Sequence, residues 1–330
     1  MKAISPTEKR LGLYYYLLKA YPKYLSTGRV LDFPLSIQIQ TQSFCNGRCS
    51  ICPYRITSKK LDQGTMEWDL YQKIINEAAS EPLLFSVLYE LHNEPLLDRR
   101  IFDCVKYLKS KNMNKRCGLV TNGMLLDRFS LTDIAQSNLD TLIISLNAHS
   151  RKVYESTNIG LDYDRVMKNI DDLLSNKAIR PKLALSFVVT QYNEQDVHEA
   201  IKCWRQRGVR TRIIKEIANR AGTLDNYDEL KLNTASHLKL FSPRPGERLM
   251  DIASRIVGCH LPFYKICILY NGDVIICCHD WERATVVGNV ASSSLREVWN
   301  SARMNKIRRL ILLKKYEHID SCRGCSLARH

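Results

Sequence analysis

The chain has 330 residues, 45% of them hydrophobic, and sets 49 Lys and Arg against 34 Asp and Glu for a net charge of +15. Such a length buries a sizeable core, no run of about 18 apolar residues marks a membrane span, and no signal-peptide pattern opens the chain, so a cytoplasmic protein is expected. Twelve cysteines suit metal ligation in a reducing compartment better than a disulfide framework, and the basic balance favours a small polar, anionic substrate over nucleic acid, since no basic patch interleaved with aromatics is present.

Residues 1–34 read as a helical lead-in, apolar and aromatic over Leu11–Tyr21 and interrupted by Pro22. From 35 to 217, strand and helix signals alternate. Strands are expected at 35–41, 84–91, 117–121, 140–146, 182–189 and 210–216, with helical periods near 67–79, 99–111, 130–137, 162–175 and 194–207 between them. Six strand-then-helix units predict an α/β fold with a parallel sheet and right-handed crossovers. Residues 218–258 form a polar bridge, and 259–330 hold six of the twelve cysteines. The basic stretch Arg303–Lys315 reads as a solvated helix face with its apolar stripe on the core.

Just past the first strand stands Cys45-Asn-Gly-Arg-Cys49-Ser-Ile-Cys52. Closely spaced thiolates select iron–sulfur clusters or zinc. Three of them hold three irons of a [4Fe–4S] cube and leave one iron open. Zinc would need a fourth ligand, for which His92 or His149 is available. The CxxxCxxC spacing resembles that of the radical S-adenosylmethionine (radical SAM) enzymes. The resemblance implies a partial (β/α)6 TIM-like barrel, S-adenosylmethionine chelated by the open iron, and a 5′-deoxyadenosyl radical that takes hydrogen from the substrate. It also implies a flavodoxin- or ferredoxin-type electron donor.

Further motifs sit at the expected strand ends, where barrel sites lie. Glu90-Leu-His-Asn-Glu-Pro95 resembles the family's Gly-Gly-Glu-Pro element, with Asn93 in place of the second glycine. Glu94 then matches the acid that pairs with the cofactor ammonium. Thr121-Asn122-Gly123 resembles the family's turn after strand three, which makes Asn122 a cofactor or substrate contact. Ser145 and Asn147 follow strand four as contacts to the cofactor ribose or carboxylate, with Asn147 where relatives carry Asp. In Asn219-Arg-Ala-Gly222, Arg220 is expected to bind the cofactor carboxylate or an anionic substrate group bidentately. Glu216 is expected in the barrel mouth as a proton acceptor; alternatively, Glu216 and Arg220 only pair with each other.

Cys259, Gly272-x4-Cys277 and Cys322-x-x-Cys325 resemble the family's C-terminal auxiliary-cluster domain (SPASM) in its shortened, "twitch" form with one [4Fe–4S] cluster. The layout is similar to that of the aminocyclitol dehydrogenases among these enzymes. Cys278 adjoins Cys277, and only the Gly-x4-Cys count favours 277 as the ligand. Cys267 reads as core within an apolar strand, and Cys104, Cys117 and Cys203 as buried small residues.

A second cluster implies an acceptor for the electron left on a substrate after hydrogen abstraction and loss of a hydroxyl proton. Alcohol oxidation on a sugar, aminocyclitol or nucleoside-linked sugar is therefore expected, or epimerisation with a cysteine returning hydrogen. Maturation of a ribosomal peptide is an alternative, and a non-catalytic metal-binding protein associated with nucleic acid is an alternative of another class.

Overall fold

The computed structural model describes Tyr24 and residues 26–214, 217–232 and 259–328. Most of the helical lead-in, the middle of the bridge and Glu216 lie outside these residues.

Nine strands form one sheet: β1 (Ser36–Ile39), β2 (Ser86–Tyr89), β3 (Arg116–Thr121), β4 (Thr141–Ser145), β5 (Leu183–Val188), β6 (Arg210–Ile214), β7 (Lys265–Ile268), β8 (Asp273–Ile275) and β9 (Val286–Asn289). Their order is β6-β5-β4-β3-β2-β1-β7-β8-β9. β1 to β7 run parallel, and β8 and β9 turn antiparallel. The six expected strands are all present: the first, second, fourth and fifth are trimmed by a residue or two at each end, the third starts one residue earlier at Arg116, and the sixth is described to Ile214. This is the partial barrel, with the C-terminal region carried on its open edge.

The helices α1 (Tyr54–Thr57), α2 (Trp68–Ser80), α3 (Ile101–Lys111), α4 (Leu131–Gln136), α5 (Arg151–Thr157), α6 (Tyr163–Ser175) and α7 (Glu194–Gln206) lie in the connections. α6 shows why. Asp162 caps it by accepting from Arg165 N, and Val166, Ile170 and Leu173 make the buried stripe, spaced for one helical face. Strands covered on both faces read as continuous apolar runs, and β1 and β5 are buried along their whole length.

β7 adds directly to β1 in parallel register, from Ser36 opposite Lys265 to Ile39 opposite Ile268. The C-terminal cysteine region is thereby continuous with the barrel sheet. Cys267 is fully buried there, as expected, and its thiol faces Gln38 Oε1 at 3.4 Å. Two further helices, α8 (Leu295–Trp299) and α9 (Ala302–Leu312), pack behind this extension. α9 buries Met304, Ile307 and Ile311 while Arg303, Lys306 and Arg309 face solvent, so the basic stretch there is a solvated face. Arg308 is the exception: it is buried, with its guanidinium 4.1 Å from the Trp299 ring and donating to the Pro262 and Trp299 carbonyls. Among the described residues no helix is long and apolar enough to cross a membrane.

Candidate active site

Parallel strands bring their C-terminal ends to one edge, so loops distant in sequence converge there. The cysteine loop after β1 is tied down from two sides. Gln42 Nε2 donates to the Glu94 carbonyl at 2.5 Å, and Glu94 N donates to the Phe44 carbonyl at 2.9 Å. Across the loop, Arg48 N bonds Ile159 O and Ser50 N bonds Thr157 O. Tyr54 accepts from Cys45 N at 2.8 Å, and Gly47 N lies 3.4 Å from Cys45 Sγ.

Cys45, Cys49 and Cys52 are therefore held together. Burial raises all three thiols, Cys45 to about 12, and the neighbouring thiols and Glu94 push Cys45 and Cys49 further in the same direction. Arg220 and Arg55 act the opposite way on Cys52. A half-buried, mutually repelling trio is a poor place for free thiolates and a good one for a cationic metal centre, which supplies the missing charge. Among the described residues no group of three His, Cys, Asp or Glu side chains is placed to grip one metal ion. The zinc reading fares no better with its extra ligand. His92 bonds the Cys278 carbonyl, and His149 is exposed on the loop after β4.

Glu94 is buried at the end of β2. Its Oε1 accepts from Thr121 Oγ1 at 2.5 Å and Leu96 N at 3.0 Å, and its Oε2 from Asn122 N at 2.7 Å. Burial lifts its carboxyl to about 7 against these three donors. Oε2 keeps acceptor capacity for a cation. Asn122 links Glu94 to the cysteine loop, because its Nδ2 donates to Asn46 Oδ1 at 2.8 Å. Gly123 has φ +81°, and a Cβ there would sit 2.9 Å from Ile144, so the turn demands glycine.

Ser145 ends β4 opposite Ser186. Asn147 is buried with a left-handed backbone at φ 60°. Its amide is bonded at both ends, to Asn158 Oδ1 and from Val188 N, so it clamps β4 to β5. Sequence reasoning missed Asn193, which completes this clamp by donating to the carbonyls of Asn147 and Val188.

The Asn219–Gly222 turn joins the barrel to the last cysteines. Asn219 Nδ2 donates to Gly324 O at 2.7 Å, and Ser326 N donates to Asn219 Oδ1 at 2.8 Å. Arg220 stands within electrostatic reach of Cys52, His92 and His279, and its buried Nε has no partner. The bridge before residue 233 also covers the first cysteine loop: Ile217, Leu224 and Leu230 pack on Ile51 and Val188, and Asn226 bonds Ser50 O.

Cys277, Cys322 and Cys325 are buried in the main core with Cys259 partly buried against it, and Cys277 lies within electrostatic reach of Cys259 and Cys322, whereas Cys278 packs with Cys267 and Leu91. Cys278 still acts electrostatically on Cys259 and Cys325. Burial raises the four thiols here too, Cys259 and Cys322 to about 12, and the donor set again fits an iron–sulfur centre.

The radical SAM superfamily model matches residues 39–203, half of the chain, and an iron-sulfur cluster-binding domain model (SPASM) matches 259–326. The chain is 23% identical over 322 residues to the tungsten-containing aldehyde ferredoxin oxidoreductase cofactor-modifying protein of Pyrococcus furiosus, covering 88% of this chain and 87% of that one. It is 19% identical over 295 residues to the S-adenosyl-L-methionine-dependent 2-deoxy-scyllo-inosamine dehydrogenase of Niallia circulans, covering 88% and 92%. The crystal structure of BtrN in complex with AdoMet and 2-DOIA superposes with a TM-score of 0.63 at 18% identity over 89% of this chain and 93% of that one, a likeness of fold.

Proposed function

Since the chain belongs to the radical SAM superfamily, we propose that it is an oxidoreductase which removes hydrogen from a hydroxyl-bearing carbon of a small polar substrate: a sugar, aminocyclitol or nucleoside-linked sugar. S-adenosylmethionine and iron–sulfur clusters are its cofactors. When bound, they supply a 5′-deoxyadenosyl radical for hydrogen abstraction and an acceptor for the electron left behind. Cys45, Cys49 and Cys52 hold the first cluster, and Cys259, Cys277, Cys322 and Cys325 the auxiliary one. Glu94 receives the ammonium of the methionine moiety, Arg220 its carboxylate, and Asn122 and Ser145 complete the cofactor contacts. Asn147 supports them through the β4–β5 clamp. Glu216, outside the described residues, remains the proton acceptor proposed from sequence, and a flavodoxin- or ferredoxin-type protein the electron donor.

One observation carries the reading. The Asn219–Gly222 turn reaches both cysteine sets, with Asn219 bonded to Gly324 O and Ser326 N on either side of Cys325 and Arg220 acting electrostatically on Cys52. A substrate at this edge therefore lies near both. The dehydrogenase named among the relatives supports oxidation. Anaerobically reconstituted, reduced protein should give a product two mass units lighter, one 5′-deoxyadenosine per turnover and no solvent deuterium in the product. Deuterium at a carbon stereocentre overturns oxidation.

Epimerisation is the second reading, favoured by Cys278. Of the spare thiols, Cys117 and Cys267 are sealed in the core, while Cys278 is only half-buried and lies on the loop leading to Trp281. An alanine at 278 would then abolish turnover and leave cofactor cleavage intact.

A further inference from the structure

The last turn of α5 and the residues after it hold the first cysteine loop. Ser50 donates to the Thr157 carbonyl through its backbone N at 2.9 Å and its hydroxyl at 3.3 Å, and Arg48 N donates to Ile159 O at 2.8 Å. Gly160 runs so close to the loop that a Cβ there would sit 3.4 Å from Asn46 O. The two buried residues of α5, Tyr154 and Thr157, stand three apart and so share one face of the helix. Cys49 leads the ionisable groups that act on Tyr154, with Asp162 and Glu94 next. That face is therefore turned to the cysteine loop and to the acid beside it.

Tyr154 is fully buried, yet its hydroxyl has no hydrogen-bond partner. Packing accounts for the ring and not for the oxygen. The ring meets Tyr163 edge-on, with centres 5.4 Å apart. Tyr163 is satisfied elsewhere, its hydroxyl donating to His149 O at 2.8 Å. An unmet buried hydroxyl costs about 1–3 kcal/mol, and a phenylalanine would avoid that cost. Burial raises the phenol, and Cys49, Asp162 and Glu94 push the same way, so the hydroxyl keeps its proton and is available as a donor. Free thiols are weak acceptors. The sulfurs of an iron–sulfur cube are anionic and strong ones.

We propose that the Tyr154 hydroxyl donates a hydrogen bond to a sulfur of the cluster held by Cys45, Cys49 and Cys52, and so sets how readily that cluster takes up its electron. The proposal rests on the assignment of those three cysteines. Hydrogen bonds to cluster sulfurs are among the factors that fix a cluster's potential. Reduction makes the cluster more negative, so a donor stabilises the reduced form more than the oxidised one and raises the potential. Tyr154 makes no covalent bond in this role and loses no proton.

The test removes the oxygen alone. Tyr154→Phe and, as control, Tyr163→Phe are compared with the parent as reconstituted full-length holoproteins. Each is titrated with dithionite in the presence of redox mediators, without S-adenosylmethionine, and read by electron paramagnetic resonance. The first cluster is the signal that S-adenosylmethionine perturbs when added afterwards. Tyr154→Phe should hold as much iron as the parent. At a fixed potential its ratio of reduced to oxidised first cluster should fall about tenfold, a midpoint about 59 mV lower. Tyr163→Phe loses a hydroxyl from the same ring pair and should leave the midpoint unchanged. Electron–nuclear double resonance of the reduced cluster in light and heavy water should show an exchangeable proton that Tyr154→Phe lacks and Tyr163→Phe keeps. An unchanged midpoint, or a retained proton, in iron-loaded Tyr154→Phe protein overturns the proposal and leaves the cysteine assignment standing. Equal shifts in the two tyrosine variants trace the effect to packing and overturn it as well. A parent protein with no signal that S-adenosylmethionine perturbs overturns the cysteine assignment and the proposal with it.

Discussion

Asn219 and Ser326 bond each other twice: Asn219 N donates to Ser326 Oγ at 3.1 Å, and Ser326 N donates to Asn219 Oδ1 at 2.8 Å. With Nδ2 on Gly324 O, this one side chain ties the residues after β6 to the Cys322–Cys325 loop. Replacing Asn219 by Ala strands two partners, Gly324 O and Ser326 N, and should loosen that loop by about 1–3 kcal/mol. Iron per chain should fall from about eight towards about four while 5′-deoxyadenosine still forms. Iron and sulfide analysis checks the first outcome and chromatography the second.

The two cysteine sets should separate by mutation. Alanine at Cys45, Cys49 and Cys52 together should end 5′-deoxyadenosine formation and leave the auxiliary cluster. Cys277→Ala should remove the auxiliary cluster, whereas Cys278→Ala should keep it. Electron paramagnetic resonance of the reduced proteins distinguishes the centres, and equal cluster loss in both single variants would refute the choice of Cys277.

Glu94 should make cofactor binding pH-dependent. An acid whose folded pKa is raised from 4.5 to about 7 loses folding stability as pH rises through that window, because the unfolded chain releases its proton first. An ammonium partner recovers the ionised form. Binding of S-adenosylmethionine should therefore tighten from pH 6 to 7.5. Glu94→Gln should bind about tenfold more weakly, with a flat profile. Equilibrium dialysis across this range reads both.

Asp140 holds a buried cation. Lys109 Nζ, in a side chain only 4% exposed, lies 2.6 Å from Asp140 Oδ2, and the same oxygen accepts from Cys117 N at 2.7 Å. Asp140→Ala should destabilise the fold by about 2–4 kcal/mol. Lys109→Met, which removes the charge and keeps the packing, should be milder. Denaturant unfolding compares the two.

The strands were legible because burial on both faces writes itself as apolar runs: 182–189 in the sequence is Leu183–Val188 in the structure. The helices were legible through caps and spacing, as at Asp162 and Val166. The cysteine motifs were legible because a cluster needs several thiolates at short intervals. The short α1 and α5 in the connections were missed, being too brief to show a period. So was the pairing of β7 with β1, which nothing local encodes.

By itself, the sequence determined the order of strands and helices, the two cysteine sets and the motifs at the strand ends, all of which are local patterns of spacing and polarity. Only the tertiary structure decided what those residues face. Glu94 meets Asn122, 28 residues on. Asn147 is bonded on both sides as a strand clamp. His92 meets Cys278, 186 residues on, and stacks on Trp281. The physical reason is that a parallel sheet sends each polar loop to the same edge. A side chain's role there depends on which donors and acceptors remain unmet after long-range packing, a property of no single segment.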